Sequence, residues 1–339
     1  MTTIRSFDNA FAVTDLTEPL SIIPNSWGLI NELNIFRTEG VTQHTVNVEV
    51  QEGTLSVIGD MVRGARNLQN KQDNRTIQAF SIPHFPLDDS LSPEDLVGKR
   101  AYGADRQDTE SEAVARKLLR IRKNHAVTLE AARAYALTNG AVYSPNGTVT
   151  GNYYTSFGVT QKSIDFVLGT ATTDVVAKTE EGIAHAQDNS LSGDSISGMV
   201  GLASPEFFAK LIAHATVKDA YRYFASLQDP LRTRLGGNST LYRKFSYAGV
   251  DWIEYRGSYN GTRLIPVGEA YLVPQGTSDS FISYFSPANK MSLVGTVGME
   301  AYAFQYRDQR DEGILIQSEH NALHLVRRPQ TVIKCTTSN

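Results

Sequence analysis

The stretch from Thr42 to Ile82 constrains this chain most, because it reads as a two-stranded ribbon too long to lie on its own globule. Val46, Val48 and Val50 alternate with Thr45, Asn47, Glu49 and Gln51, the period of two of a half-buried strand. Gly53 interrupts the run, Leu55 and Val57 resume it, and Ile77, Phe80 and Ile82 lead back. At ~3.3 Å per residue, arms of this length reach roughly 40–50 Å. A compact globule of 339 residues has a radius of gyration of only about 20 Å. A two-stranded ribbon is marginally stable alone in water, so it needs a surface to lie on. The economical surface is a neighbouring subunit, which makes this an assembling protein.

The ribbon's tip, Gly59 to Arg75, adds charge. From Met61 to Arg75 it holds Arg63, Arg66, Lys71 and Arg75 against one acid, Asp73, a local charge of +3. Such a tip suits an acidic surface on the next subunit. Arg63, Arg66, Leu68, Lys71 and Arg75 are therefore the candidate inter-subunit contacts.

The rest of the composition narrows the class. The chain is long enough to bury a real core and to hold two lobes. Hydrophobic content of 41% and charged content of 20% exclude global disorder. A net charge of -4 gives no blanket attraction to nucleic acid. The single cysteine, Cys335, excludes an intrachain disulfide framework and a cysteine-built zinc site, and it fits a reducing cytoplasm. Met1 to Asp8 lacks the basic start and apolar run of a signal peptide. No stretch reaches the ~18 consecutive apolar residues of a membrane span.

Along the chain, residues 1–41 read as an extended arm with one short helix near Trp27 to Leu33. After the ribbon, Pro83 and Pro86 keep the backbone extended, and Ser92-Pro93 opens a single helical turn. The clearest helix spans 110–138. Thr109 and Glu112 match a capping box, and Asn139-Gly140 is a stop. Val114, Leu118, Ile121, His125, Leu129 and Ala132 form one stripe between them. At 1.5 Å per residue it is about 40 Å long, enough for the spine of a flat subunit. Two strands are expected between Asn152 and Leu168, then a helix from Asp174 to Gln187. Met199 to Ala203 reads as a strand, Pro205 to His214 as a helix behind Ser204, and Val217 to Leu227 as another helix. Lys244–Tyr255, Leu264–Val273, Met291–Tyr306, Gly313–Ser318, Leu323–Val326 and Thr331–Lys334 read as strands. Strands in separated blocks give an α+β class rather than regular βαβ units.

Candidate chemistry is sparse. His320 and His324 sit four apart, like a helical zinc pair, but Gln317 to Val326 reads as strand, turn, strand, and no Glu follows His320. Asp88-Asp89 and Glu180-Glu181 are adjacent, whereas paired catalytic carboxylates oppose one another across a cleft. His125 lies on the apolar face of the long helix and reads as a core residue. Dinucleotide, phosphate-loop and nucleophile-elbow patterns are absent. No catalytic, cofactor-binding or metal residue is assigned.

Several segments carry a family resemblance: Phe85 to Leu96 leading into Gly98-Lys99-Arg100, Ala136 to Gly140, Tyr247 to Tyr255, Glu269 to Pro274, and Ile316 to Glu319 through Leu323 to Pro329. Their order resembles the major capsid proteins of tailed bacteriophages, and within them the family of the phage lambda major head protein. The N-terminal arm matches least. The resemblance implies the Hong Kong 97-type capsid fold. Residues 1–41 would be its N-terminal arm, 42–82 its extended loop and 83–187 its peripheral domain with spine helix 110–138. Residues 188–308 would be the axial domain, and 309–339 strands returning to the peripheral domain.

The same resemblance implies a homo-oligomer of hexamers and pentamers, an icosahedral shell enclosing double-stranded DNA without sequence-specific binding. It implies no catalysis, no cofactor and no membrane. The long helix begins too early to leave room for a built-in scaffolding domain, so a separate scaffold protein is implied, with a portal and room for a decoration protein. The expected location is the virion, after assembly in the host bacterial cytoplasm. Lys71 is a conceivable cross-link donor, but the sequence identifies no acceptor and no cross-link is expected. A net negative chain suits the inner wall of a DNA container, where adhesion would hinder packaging. The alternatives are an encapsulin-like nanocompartment shell and, in a different class, a soluble enzyme with a scattered acid/base site.

Overall fold

The computed structural model describes residues 14–15, 28–52, 74–96, 109–190, 194–220, 243–259 and 261–339. In chain order its elements begin with β1 (Thr14–Asp15), α1 (Leu29–Glu32), β2 (Arg37–Gly40), β3 (Thr45–Glu52), β4 (Asn74–Ser81) and β5 (His84–Leu91). The spine helix α2 (Glu110–Asn139), α3 (Tyr153–Ser156), β6 (Ser163–Asp165), α4 (Val175–Asp188), β7 (Gly198–Ala203) and α5 (Pro205–Ala213) follow. Then come β8 (Lys244–Tyr247), β9 (Val250–Glu254), β10 (Ser258–Tyr259), β11 (Thr262–Arg263), β12 (Ala270–Gln275), β13 (Phe281–Phe285), β14 (Tyr302–Arg307), β15 (Ile314–Val326) and β16 (Ile333–Thr336).

The spine helix starts and stops where its sequence signals lie. Thr109 Oγ1 accepts from the Glu112 N–H at 3.4 Å, and the Glu112 carboxylate accepts from the Thr109 N–H at 3.3 Å. That reciprocal pair satisfies two donors a helix start leaves open. At the other end Gly140 takes φ 58°, the left-handed cap. The first half of the helix packs Val114, Leu118 and Ile121 against Leu91, Ile314 and Ile316. Its second half sends Ala134 and Leu137 into the central core, where Phe281 and Leu325 meet Val200 and Tyr271. One helix thus joins two sheets.

The first sheet runs β1-β14-β15-β13-β2, with β5 also paired to β15. The leading half of β15 lies between β14 and β5, with Ile316 opposite Gln305 and Asp89. Its trailing half pairs with β13, Leu325 opposite Ile282. The second sheet runs β6-β16-β12-β7-β9-β8. Helix α5 covers one face of it with Phe207, Phe208 and Leu211, packed in one cluster with Trp252 and Phe166. Fully burying a large apolar side chain contributes about 1.5–3 kcal/mol, so this cluster is a core in its own right.

Several strand expectations change. Between Asn152 and Leu168 there is a short helix, α3, capped by Asn152 Oδ1 accepting from the Thr155 N–H at 3.1 Å, and then only β6. Met291–Tyr306 is not one strand: Met291–Leu293 is a 3-10 turn and the strand is β14. The strand, turn, strand expected over Gln317–Val326 is one continuous strand. Two of its buried polar residues find partners across the fold, Asn321 Nδ2 donating to the Pro287 carbonyl at 3.0 Å and His320 Nδ1 meeting the Glu300 carbonyl. The expected Lys244–Tyr255 strand breaks into β8 and β9 at Ala248-Gly249, both at positive φ. The strand expected at Leu264–Val273 begins only at Ala270, as β12, and that expected at Thr331–Lys334 is the end of a 3-10 turn, Pro329–Thr331, followed by β16. Residues 215–220 are helical, and the rest of the helix expected to Leu227 lies outside the described residues. Strand membership also departs from the linear segments: β13 and β14 join the first sheet, while β16 joins the second, paired with β6 and β12.

Candidate assembly surfaces

The ribbon is present where it is described, and its described root is anchored in the core. Strands β3 and β4 pair from Thr45 opposite Ser81 to Glu52 opposite Asn74, and form a sheet of their own. At the root, Val46, Phe80 and Ile82 enter the central core. The Phe80 ring stands edge-on to Tyr153 at 5.5 Å and to Phe157 at 5.9 Å. On the ribbon's other face, Ile77 is 65% exposed, opposite an exposed Glu49. A two-stranded sheet with an uncovered face is marginally stable alone in water. Arg75 is exposed on the ribbon, opposite Gln51. Arg63, Arg66, Leu68 and Lys71 lie outside the described residues.

Sequence reasoning missed a second apolar surface. The loop between β13 and β14 exposes Met291 by 92%, Val294 by 75% and Val297 by 62%. It is fixed to the strand that leads into the ribbon. The Val41 N–H donates to the Phe285 carbonyl at 2.8 Å, and the Gly298 N–H donates to the Val41 carbonyl at 3.0 Å. A Cβ at Gly298 would fall on the Phe285 carbonyl, so only glycine allows this approach. The available signal was a run from Met291 to Met299 with no charge, broken by Gly295 and Gly298.

A buried carboxylate ties the N-terminal segment to the spine. Glu130 accepts from the Ile30 N–H at 2.9 Å, the Asn31 N–H at 3.1 Å and the Tyr255 hydroxyl at 2.7 Å. Burial pushes its pKa up, against the pull of those donors and of Arg133. Arg133 in turn donates to Asn31 Oδ1 and sits 5.7 Å over the Phe36 ring. These are structural ties among α1, the spine helix and the strand segment at Tyr255.

The remaining candidates also serve packing. His125 shares a hydrogen bond with Ser318 at 2.9 Å, and His324 with Ser283 at 2.8 Å. Burial, then the neighbouring His320, hold the His125 imidazolium down to about 3. His320 and His324 are likewise lowered by burial. Among the described residues no group of three His, Cys, Asp or Glu is placed to hold a metal. Asp89 pairs with Lys117 at 2.7 Å and Glu181 with Lys162 at 2.7 Å, while Asp88 and Glu180 are exposed. No helix among the described residues is long and apolar enough to cross a membrane.

Comparison with known proteins follows this geometry. The model of the family "Phage major capsid protein E" matches residues 12–337. The chain is 41% identical to the major capsid protein of Pseudomonas phage KPP10, over 98% of this chain and 99% of that protein. It is 29% identical to the major capsid protein of Salmonella phage Felix O1, over 97% of each chain. Among solved structures, the mature capsid of bacteriophage PhiM1 matches with a TM-score of 0.53 at 12% identity, covering 92% of this chain and 88% of that one. That likeness places the fold with the Hong Kong 97-type capsid proteins. With nearly its whole length matched, the chain belongs to the phage major capsid protein E family, and its role is that of a structural component of the virion rather than an enzyme.

Proposed function

We propose that copies of this chain close into an icosahedral head, as hexamers and pentamers around double-stranded DNA. Assembly takes place in the host bacterial cytoplasm on a separate scaffold protein, with a portal. The observation that carries the reading is the ribbon, anchored by Val46 and Phe80 but with Ile77 in solvent. In this proposal the ribbon is the extended loop and lies on a neighbouring copy, with Arg63, Arg66, Leu68, Lys71 and Arg75 at or near the contact. The loop at Met291 to Val297 meets another copy in the same way. The first sheet with the spine helix acts as the peripheral domain, and the second sheet with α4 and α5 as the axial domain. Each contact is weak, and closure of a symmetric shell multiplies them.

Replacing residues 53–73 by a short glycine-serine turn tests this. The shortened protein is expected to keep its circular dichroism and cooperative melting, yet to sediment as small species where the full chain forms shells. Shells of full-chain dimensions from the shortened protein would sink the ribbon's role.

A further inference from the structure

The outward side of the spine helix carries a charge pattern that its packing does not require. Between Arg116 and Lys123, five of eight residues are basic: Arg116, Lys117, Arg120, Arg122 and Lys123. Leu118 and Ile121 of the same stretch face the first sheet. Arg116, Arg120 and Lys123 are exposed. At ~100° per residue these three fall within an arc of about 60° and cover ~10 Å of helix axis. Lys117 and Arg122 flank them, half-buried, and Lys117 bonds Asp89 at 2.7 Å. Among the described residues no acid pairs with Arg120, Arg122 or Lys123. The acids of the helix start are already engaged, Glu110 with Arg307 at 3.3 Å and Glu112 in the cap. Beyond them the next acid along the helix is Glu130.

Among the described residues, the opposite face of this two-layer wall lacks such a stripe. Strand β5 turns Leu87 and Leu91 toward the helix, so alternation turns Pro86, Asp88 and Ser90 outward. Lys290, on that side, is drawn over the rings of Phe304 and Tyr306 at 5.4 and 5.1 Å. Among the described residues of this wall, the exposed basic run therefore lies on the helix layer.

We infer that the face of the spine helix from Arg116 to Lys123 forms part of the inner wall of the shell and binds the phosphate backbone of the enclosed duplex DNA, without reading sequence. The inference rests on the shell reading above and deepens it. Duplex DNA presents one phosphate per ~1.7 Å of axis, so the stripe has several charges within reach. A protein partner would be met by an apolar centre, and here the one exposed large apolar side chain is Leu119, at 39%. The chain's net charge of -4 keeps the hold of each subunit on DNA weak, so that it releases.

The test measures binding of a short fluorescent duplex of arbitrary sequence to full-length, unassembled subunits as salt is raised. The Arg120→Gln, Lys123→Gln double variant is expected to flatten the slope of log affinity against log salt by about 1.8, two phosphates at ~0.9 each. A Lys178→Gln, Arg310→Gln variant loses the same charge elsewhere and is expected to keep the original slope. Equal slopes in the two variants would overturn the inference. So would polyglutamate binding as tightly as the duplex, which would make an acidic protein the occupant. Shells still formed by the stripe variant, with the duplex slope unchanged, would remove the DNA contact and leave the shell reading standing. Failure of the unaltered chain to form shells with a scaffold would remove the shell reading, and this inference with it.

Discussion

Acidification should loosen the seam between the spine helix and the first sheet, and His125 sets the amount. Its side chain is 6% exposed, shares a hydrogen bond with Ser318 at 2.9 Å, and lies 5.9 Å from the His320 ring. Burial, then His320, hold its folded pKa down to about 3. In the unfolded chain the same imidazole titrates near ~6.5. The folded value lies below the unfolded one, so protons favour the unfolded state. His125's contribution is intact above ~6.5 and drains away as pH falls toward the folded value of about 3. Between pH 7 and pH 5 the unfolded imidazole takes up its proton while the folded one stays neutral, which costs about 2 kcal/mol. The assay is equilibrium urea unfolding of the unassembled subunit at both pH values, for the natural chain and for His125→Gln. The variant cannot titrate there, while His320 and His324 remain in both proteins. The natural chain is expected to lose about 2 kcal/mol more than the variant. Equal losses would refute the argument, because they would mean that His125 is already wet or already charged in the fold.

Two further expectations concern buried groups. Glu130→Ala removes the acceptor of three hydrogen bonds that tie α1 and Tyr255 to the spine, and is expected to cost about 3–5 kcal/mol in urea unfolding. Glu130→Gln, which keeps one acceptor oxygen, is expected to lose less. Cys335 is fully buried and burial pushes its thiol up, so a thiol reagent should leave the native subunit unmodified and label it fully in urea.

Much of this fold is written locally. The spine helix announces both its ends, through Thr109 with Glu112 and through Gly140, and its apolar stripe faces the sheets. The ribbon strands follow from strict alternation around Val46 and Val48. Ser204-Pro205 likewise opens α5, with Ser204 Oγ accepting from the Phe207 N–H at 3.3 Å. What stayed hidden depends on partners distant in sequence. Strand β13 is buried at all its residues, so Phe281 to Phe285 shows no alternation to read. Strand β15 looks broken at His320 and Asn321 because their partners, near Glu300 and Pro287, lie 20 and 34 residues away. The apolar run at Met291 to Val297 reads as strand because apolar residues are normally buried, whereas here Met291, Val294 and Val297 stand exposed.

The central claim is assembly, and electron microscopy of the purified chain tests it most directly. Negative-stain images at high protein concentration, with and without a scaffold protein, are expected to show closed shells, tubes or hexagonal sheets. Discrete small particles under every condition, with the ribbon protected from protease in the lone subunit, would contradict it.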